Sequence, residues 1–269
     1  MQPRSVQGSW LLVAAVLAVS GCSRLTFVRP DMSRGDYDQV APEIEVSDAG
    51  HRSTMVAHDR LLLAQQRMGA GKLDEAQEQA RAALKADPGS ADAHTLLAMI
   101  DQRRGDQAAA GGHFARAAEL APQRGYALNN YGTWLCSNGR PAESLDWFDR
   151  AVADRGYPTP ALALANAGAC AVDAGQGARA ERDLRRAIGM DPDNTVALGA
   201  MAELALRNGN AFEARAFSQR RLAAGPADAD ALLLASQIEQ KLGDKAAAER
   251  YTQRLRAEFG DAAPAHSGE

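Results

Sequence analysis

GYALNNYGTWLCSNGRPAESLDWFDRAVADRGYPTP, residues 125–160, is the stretch whose reading decides the fold. A small residue, Gly132, stands in the middle of its first helical run, and Gly139 breaks the chain. Ser144 stands early and Ala151 late in a second run, and Pro158 follows it. The same marks recur outward in both directions. Prolines fall at Pro88, Pro122, Pro158, Pro192 and Pro226, in steps of 34, 36, 34 and 34 residues. The mid-first-helix position holds Ala64, Ala98, Gly132, Gly168, Ala202 and Ser236. The turn holds Gly71, Gly105, Gly139, Gly175, Gly209 and Gly243. The early second-helix position holds Ala76, Ala110, Ser144, Ala180, Ala214 and Ala248. The late one holds Ala83, Ala117, Ala151 and Ala187, then lapses to Arg221 and Leu255.

Each class has a cause. Small residues let two helices cross at close range. Glycine ends the first helix because the left-handed conformation strains it least. Proline after the second helix prevents its continuation. An irregular helical bundle has no reason to keep four such classes in phase over six units. The spacing therefore sets six repeats at 57–90, 91–124, 125–160, 161–194, 195–228 and 229–260. The third is two residues long, with the extra length in Asp154-Arg155-Gly156-Tyr157-Pro158. The last ends in Phe259-Gly260 and serves as a cap, followed by a short tail at 261–269. A period of 34 residues resembles that of the tetratricopeptide repeat (TPR), a helix-turn-helix unit. The expected fold is an all-α TPR solenoid, a right-handed superhelix of six hairpins. Abundant alanine and only 5% aromatic residues agree with it.

The N-terminus reads as an address. Arg4 precedes an apolar run from Trp10 to Val19 that is too short to span a bilayer, which takes about 20 residues. The run ends in Val19-Ser20-Gly21-Cys22, the pattern of a bacterial lipobox, with 1–21 as signal peptide and Cys22 as the acylated mature N-terminus. An ordinary signal peptide with a chance cysteine is the alternative. Several acyl chains give the stable anchoring that one does not. Ser23 in place of an aspartate points to the outer membrane, with the body on the periplasmic face. Residues 22–56 hold Pro30, Gly35, Pro42 and Gly50 among many charges and read as a flexible tether.

No catalytic constellation emerges. The histidines, His51, His58, His94, His113 and His266, lack metal-type partners at helical spacing, and Gly111-Gly112 lies inside a helical phase rather than in a phosphate loop. A net charge of -4 without a basic run gives no nucleic-acid footprint. The reading is of a non-enzyme without cofactor, metal, nucleic acid or small-molecule substrate. Besides Cys22, the thiols are Cys136 and Cys170. They stand in neighbouring first helices, two positions out of register, which turns one by about 200° relative to the other. That orientation suits a cross-link between repeats. Two buried thiols are the other reading, because bridging also needs Cα atoms within about 7 Å.

In a solenoid of this kind the first helices line the inner surface. Its candidate docking residues are Tyr126, Asn129, Thr133, Leu162, Ala165, Ala169, Val172, Val196, Glu203 and Arg207. The face is mixed and rather apolar, which favours a partner segment with apolar anchors over an acidic tail.

Asn129-Asn130-Tyr131-Gly132 with Leu135 and Cys136, the junction Gly156-Tyr157-Pro158, and Asn166-Ala167-Gly168 with Cys170 carry a closer resemblance. With the lipobox, tether and six repeats, they make the chain similar to the type IV pilus biogenesis/stability TPR lipoproteins, the PilF/PilW family. That resemblance implies a pilotin: an outer-membrane lipoprotein that binds the pilus secretin subunit and promotes its localisation and multimerisation. The competing readings are a TPR lipoprotein adaptor for peptidoglycan hydrolases or outer-membrane protein assembly, and a TPR scaffold for exopolysaccharide export.

Overall fold

The structure is a computed structural model that describes the backbone of residues 48–260 and the side chains of residues 52–260. The expected signal peptide, the lipidation site Cys22, the tether as far as residue 47 and the tail at 261–269 lie outside the described residues. Within them the chain forms twelve helices. They pair as α1 (Asp48–Gly69) with α2 (Leu73–Ala86), α3 (Ala91–Arg103) with α4 (Gln107–Leu120), and α5 (Gly125–Ser137) with α6 (Pro141–Ala153). The remaining pairs are α7 (Pro160–Asp173) with α8 (Gly177–Met190), α9 (Thr195–Arg207) with α10 (Ala211–Ala224), and α11 (Ala229–Leu242) with α12 (Lys245–Phe259). The order is that of a TPR solenoid. Each second helix packs on its own first helix and on the first helix of the next repeat, and successive first helices also touch.

Each class of small residue sits where expected. Ala64, Ala98 and Ala202 are fully buried, as are Ala76, Ala110 and Ala180 on the second helices. Of the two mid-first-helix glycines, Gly168 is the more crowded: a Cβ there would lie 2.4 Å from Leu184 Cγ. Alanine and glycine stabilise little by their own area. They act by letting larger neighbours meet, such as Phe148, Leu97, Leu128, Leu184 and Leu198, all fully buried. The six turn glycines hold φ between 70° and 82°. Five helices are capped by Ser90, Asp106, Asn194, Asp228 and Asp244, whose side chains accept a backbone N–H three residues on.

Two features depart from the plain repeat. Helix α1 opens at Asp48, well inside the stretch expected to be tether up to residue 56. Nucleation is the costly step of helix formation. Once Ala57, Leu61, Ala64 and Met68 are anchored, the helix propagates backwards through residues that would not nucleate one. The two-residue insertion after α6 is an ordered joint. Asp154 accepts the backbone N–H of Gly125 at 2.8 Å and that of Gly156 at 2.8 Å. These two bonds hold its carboxyl below the usual aspartate range. Tyr157 is buried with Leu128, Ala151 and Ala163.

The repeats are also tied by arginines at equivalent places. Arg103 donates to the Met68 carbonyl at 2.9 Å, and Arg207 to the Val172 carbonyl at 3.1 Å, each reaching the C-terminal end of the preceding first helix. Arg220 reaches the Pro192 carbonyl at 2.9 Å.

Adjacent glycines in α4 separate crowding from propensity. A Cβ on Gly111 would lie 2.2 Å from the Trp134 indole, whereas one on Gly112 meets nothing within 4 Å. Gly111→Ala is expected to lower stability by about 1–3 kcal/mol through overpacking. Gly112→Ala is expected to raise it by about 0.5–1 kcal/mol through helix propensity. Thermal unfolding followed by circular dichroism reads both.

Candidate protein-docking face

Of the first helices that sequence reasoning chose as a docking face, only a narrow strip of each is open. Leu162 and Val196 are 36% and 40% exposed. Thr133 and Ala169 are partly buried, and Glu203 and Arg207 are accessible. Asn129, Ala165 and Val172 are corrections: all three are buried, Ala165 completely. The reason is geometric. An inner helix is covered by its own partner, by the preceding second helix and by the first helices on either side, so most of its circumference is core. Ala165 and Val172 join the largest apolar cluster, with Leu184, Met201 and Leu204.

The buried polar members tie repeats together. Asn166 donates to the Asn129 side-chain carbonyl at 3.0 Å and to the Thr133 hydroxyl at 3.4 Å. Thr133 in turn donates to the Asn129 backbone carbonyl at 2.9 Å. Tyr126 donates its hydroxyl to Asp92 and accepts from Arg124 at 3.1 Å, linking α5 to α3. Burial, then the bond to Asp92, raises its phenol above the ordinary value. Within Asn129-Asn130-Tyr131-Gly132, Tyr131 packs edge-on to Trp147 at 4.8 Å, and Gly132 leaves room for Phe148. That motif is thus mostly a packing device.

Cys136 and Cys170 face each other across α5 and α7. Their Cα atoms are 5.9 Å apart and their sulfurs meet, which is within disulfide reach. Cys170 is buried and Cys136 packs against the same core.

Toward the C-terminal end the inner face opens into a cavity of about 690 Å³ between α9, α10 and α11. It brings together the expected Val196, Glu203 and Arg207 with Asp173, Gly199 and Leu206. Tyr126, Thr133, Leu162 and Ala169 lie elsewhere on the face. Sequence reasoning missed the opposite wall: Arg221, Asp230, Leu233, Leu234 and Gln237. The lapse of the late alanine class at Arg221 was the available signal. Arg207 is held by Glu203 at 2.5 Å and Asp173 at 3.5 Å, so it shapes the wall as part of an ion network.

A second polar cluster joins α3 and α4. The Nδ1 atoms of His94 and His113 are 3.0 Å apart, so one ring must donate and the other accept. His113 Nε2 lies 3.9 Å from the buried carboxylate of Asp101. Burial, then the neighbouring His113 and Arg116, lowers the His94 pKa below the ordinary histidine value. Among the described residues no group of three or more His, Cys, Asp or Glu is placed to hold a metal ion.

Comparisons with known proteins agree with this architecture. Residues 61–125, 98–159 and 171–225 match the tetratricopeptide repeat. The chain is 25% identical over 186 residues to the type IV pilus assembly protein PilF of Pseudomonas aeruginosa, covering 69% of this chain and 74% of that one. A crystal structure of PilW, described as a widely conserved type IV pilus biogenesis factor, superposes with a TM-score of 0.69 at 32% identity. The match covers 77% of this chain and 94% of PilW. The structure of Pseudomonas aeruginosa PilF superposes with a TM-score of 0.67 at 23% identity, over 78% of this chain and 95% of that one, and shows the shared fold.

His94 makes stability depend on pH. An unfolded histidine takes its proton near pH 6.5. The folded His94 resists it, so between that pH and its lower folded value the unfolded chain binds the extra proton, and acid favours unfolding. The melting temperature is expected to fall as pH drops from 7 through 6, and to fall less in His94→Gln. Thermal melts across that range measure both slopes.

Proposed function

We propose, starting from the fact that this chain belongs to the PilF/PilW family of type IV pilus biogenesis TPR proteins, that it acts as a lipid-anchored outer-membrane pilotin. The role in type IV pilus biogenesis follows from the family; the single observation that carries it is the 32% identity to PilW across 94% of that chain. The more specific reading combines two halves of the molecule. Acylation at Cys22 moors the chain to the outer membrane with its body in the periplasm, and the first-helix face seats a segment of the pilus secretin subunit. Holding that subunit beside the membrane raises its local concentration and promotes its assembly into a ring. The chain does this by binding alone, without cofactor or chemical step. What supports the anchor is the Val19-Ser20-Gly21-Cys22 pattern after a short apolar run. What supports a protein partner is a solenoid with an open, mixed inner face.

Complementation of a deletion strain tests the reading. The wild-type gene is expected to restore twitching, heat-resistant secretin multimers and palmitate labelling of the chain. Cys22→Ser is expected to lose the label and most of the multimers. Normal pili in the deletion strain, with altered cell-wall turnover or outer-membrane protein assembly, would refute the pilotin and favour an adaptor for those processes.

We also propose that Cys136 and Cys170 form a disulfide in the oxidising periplasm. It clamps the third repeat to the fourth at the joint where the period is interrupted. Alkylation and mass spectrometry of the chain isolated from the periplasm are expected to find both sulfurs blocked. Cys136→Ser is expected to lower stability by about 2–4 kcal/mol relative to the oxidised chain.

A further inference from the structure

The cavity between α9, α10 and α11 exists where the repeat breaks its own rule. Ala83, Ala117, Ala151 and Ala187 fill the late second-helix position in repeats one to four and are fully buried beneath the next first helix. Repeat five has Arg221 there, with its side chain only 11% exposed. A guanidinium cannot pack as a methyl does. It turns along the cavity wall and donates to the Pro226 carbonyl at 3.0 Å and to Asp228 at 2.6 Å. The same cavity is lined by the apolar side chains of Val196, Leu206, Leu233 and Leu234, of which the three leucines are half-buried and form its floor. Around it the charge is unbalanced: the carboxylates of Asp173, Glu203, Asp228 and Asp230 face the guanidiniums of Arg207 and Arg221. Both cations are already engaged, Arg207 shared by Glu203 and Asp173 and Arg221 held by Asp228, so four carboxylates face two guanidiniums and Asp230 has neither. The rim therefore keeps an excess of negative charge over an apolar floor. A volume of about 690 Å³ lies in the range of binding clefts and holds several side chains.

We propose that this cavity is a docking subsite for a segment of a partner protein that places an apolar side chain on the floor and a lysine or arginine, within one turn of it, at the acidic rim. An acidic segment is repelled by the uncompensated carboxylates, and a purely apolar one leaves them unanswered. Arg221 is a structural wall of the subsite: Nη1 already donates to the Pro226 carbonyl and Nη2 to Asp228. The inference rests on the reading of the first-helix face as the partner's seat and names the chemistry that seat selects.

Photo-crosslinking in living cells tests it, with benzoyl-phenylalanine placed at Leu233 in the full-length chain. A second chain carries it at Leu162, and a control at Met190 on the second-helix side. Capture at Leu233 of one segment with an apolar residue beside a lysine or arginine, and no such capture at Met190, is the expected result. Asp230→Lys, and separately the milder Glu203→Gln, are expected to reduce that capture by about fivefold, the size of one surface charge pair. Their melting temperatures show whether each variant stays folded. Capture of an acidic segment or of a second copy of this chain at Leu233, or capture indifferent to both substitutions, overturns the proposal. Secretin captured at Leu162 but nothing at Leu233 overturns the subsite and leaves the pilotin reading standing. A basic apolar segment of some other protein at Leu233 upholds the subsite and overturns the pilotin reading.

Discussion

Close crossing of helices is the constraint on which this molecule depends. A hairpin such as α7–α8 is held by Gly168 and Ala180 at its crossing, where a single added methyl would reach 2.4 Å from Leu184 Cγ. Such contacts are short-ranged and cannot be shared between distant parts of the chain. Each repeat therefore leans only on its neighbours, and stability spreads along the stack rather than gathering in one centre. Interiors are close-packed, so a change at a crossing is felt at once. The same rule explains the arginines that reach the carbonyls of Met68, Val172 and Pro192. They are nearest-neighbour ties, repeated as the packing is repeated.

Where the period is interrupted, other forces take over. Two extra residues between the third and fourth repeats would misplace the next hairpin if the joint were loose. Instead Asp154 collects two backbone N–H groups, Tyr157 is buried, and Cys136 and Cys170 meet across α5 and α7. The middle of the solenoid is thus its most strongly specified part. It also holds the largest apolar cluster and the Asn129–Asn166–Thr133 ladder. The C-terminal end is different: Arg221 displaces an alanine, and an open, acidic-rimmed space lies beside it. A stiff centre with an open end suits a molecule that must hold its shape while receiving a segment of another protein.

Much of this was legible in the chain itself. The prolines, turn glycines and small residues located the six hairpins, because each of those residue types answers a local backbone or steric demand. The misaligned cysteines, read against a helical turn of 100° per residue, suited a cross-link but left two buried thiols open as well. What misled was the edge of regularity. The charged, glycine-containing stretch before residue 57 looked unfit for structure, yet α1 extends back to Asp48, since a helix anchored by packing propagates into residues that would not nucleate one.

The sequence by itself determined the element order, the repeat length and the crossings, because these arise from contacts between residues close in the chain and recur with its period. Only the tertiary structure decided which side of each inner helix stays open. Asn129, Ala165 and Val172 share a helix face with exposed residues when viewed along one repeat, but neighbouring repeats cover them. The cavity beside Arg221 likewise needs three helices and a displaced side chain at once. Exposure is set by what the adjacent repeats bring, and that is a property of the stack, absent from any single hairpin.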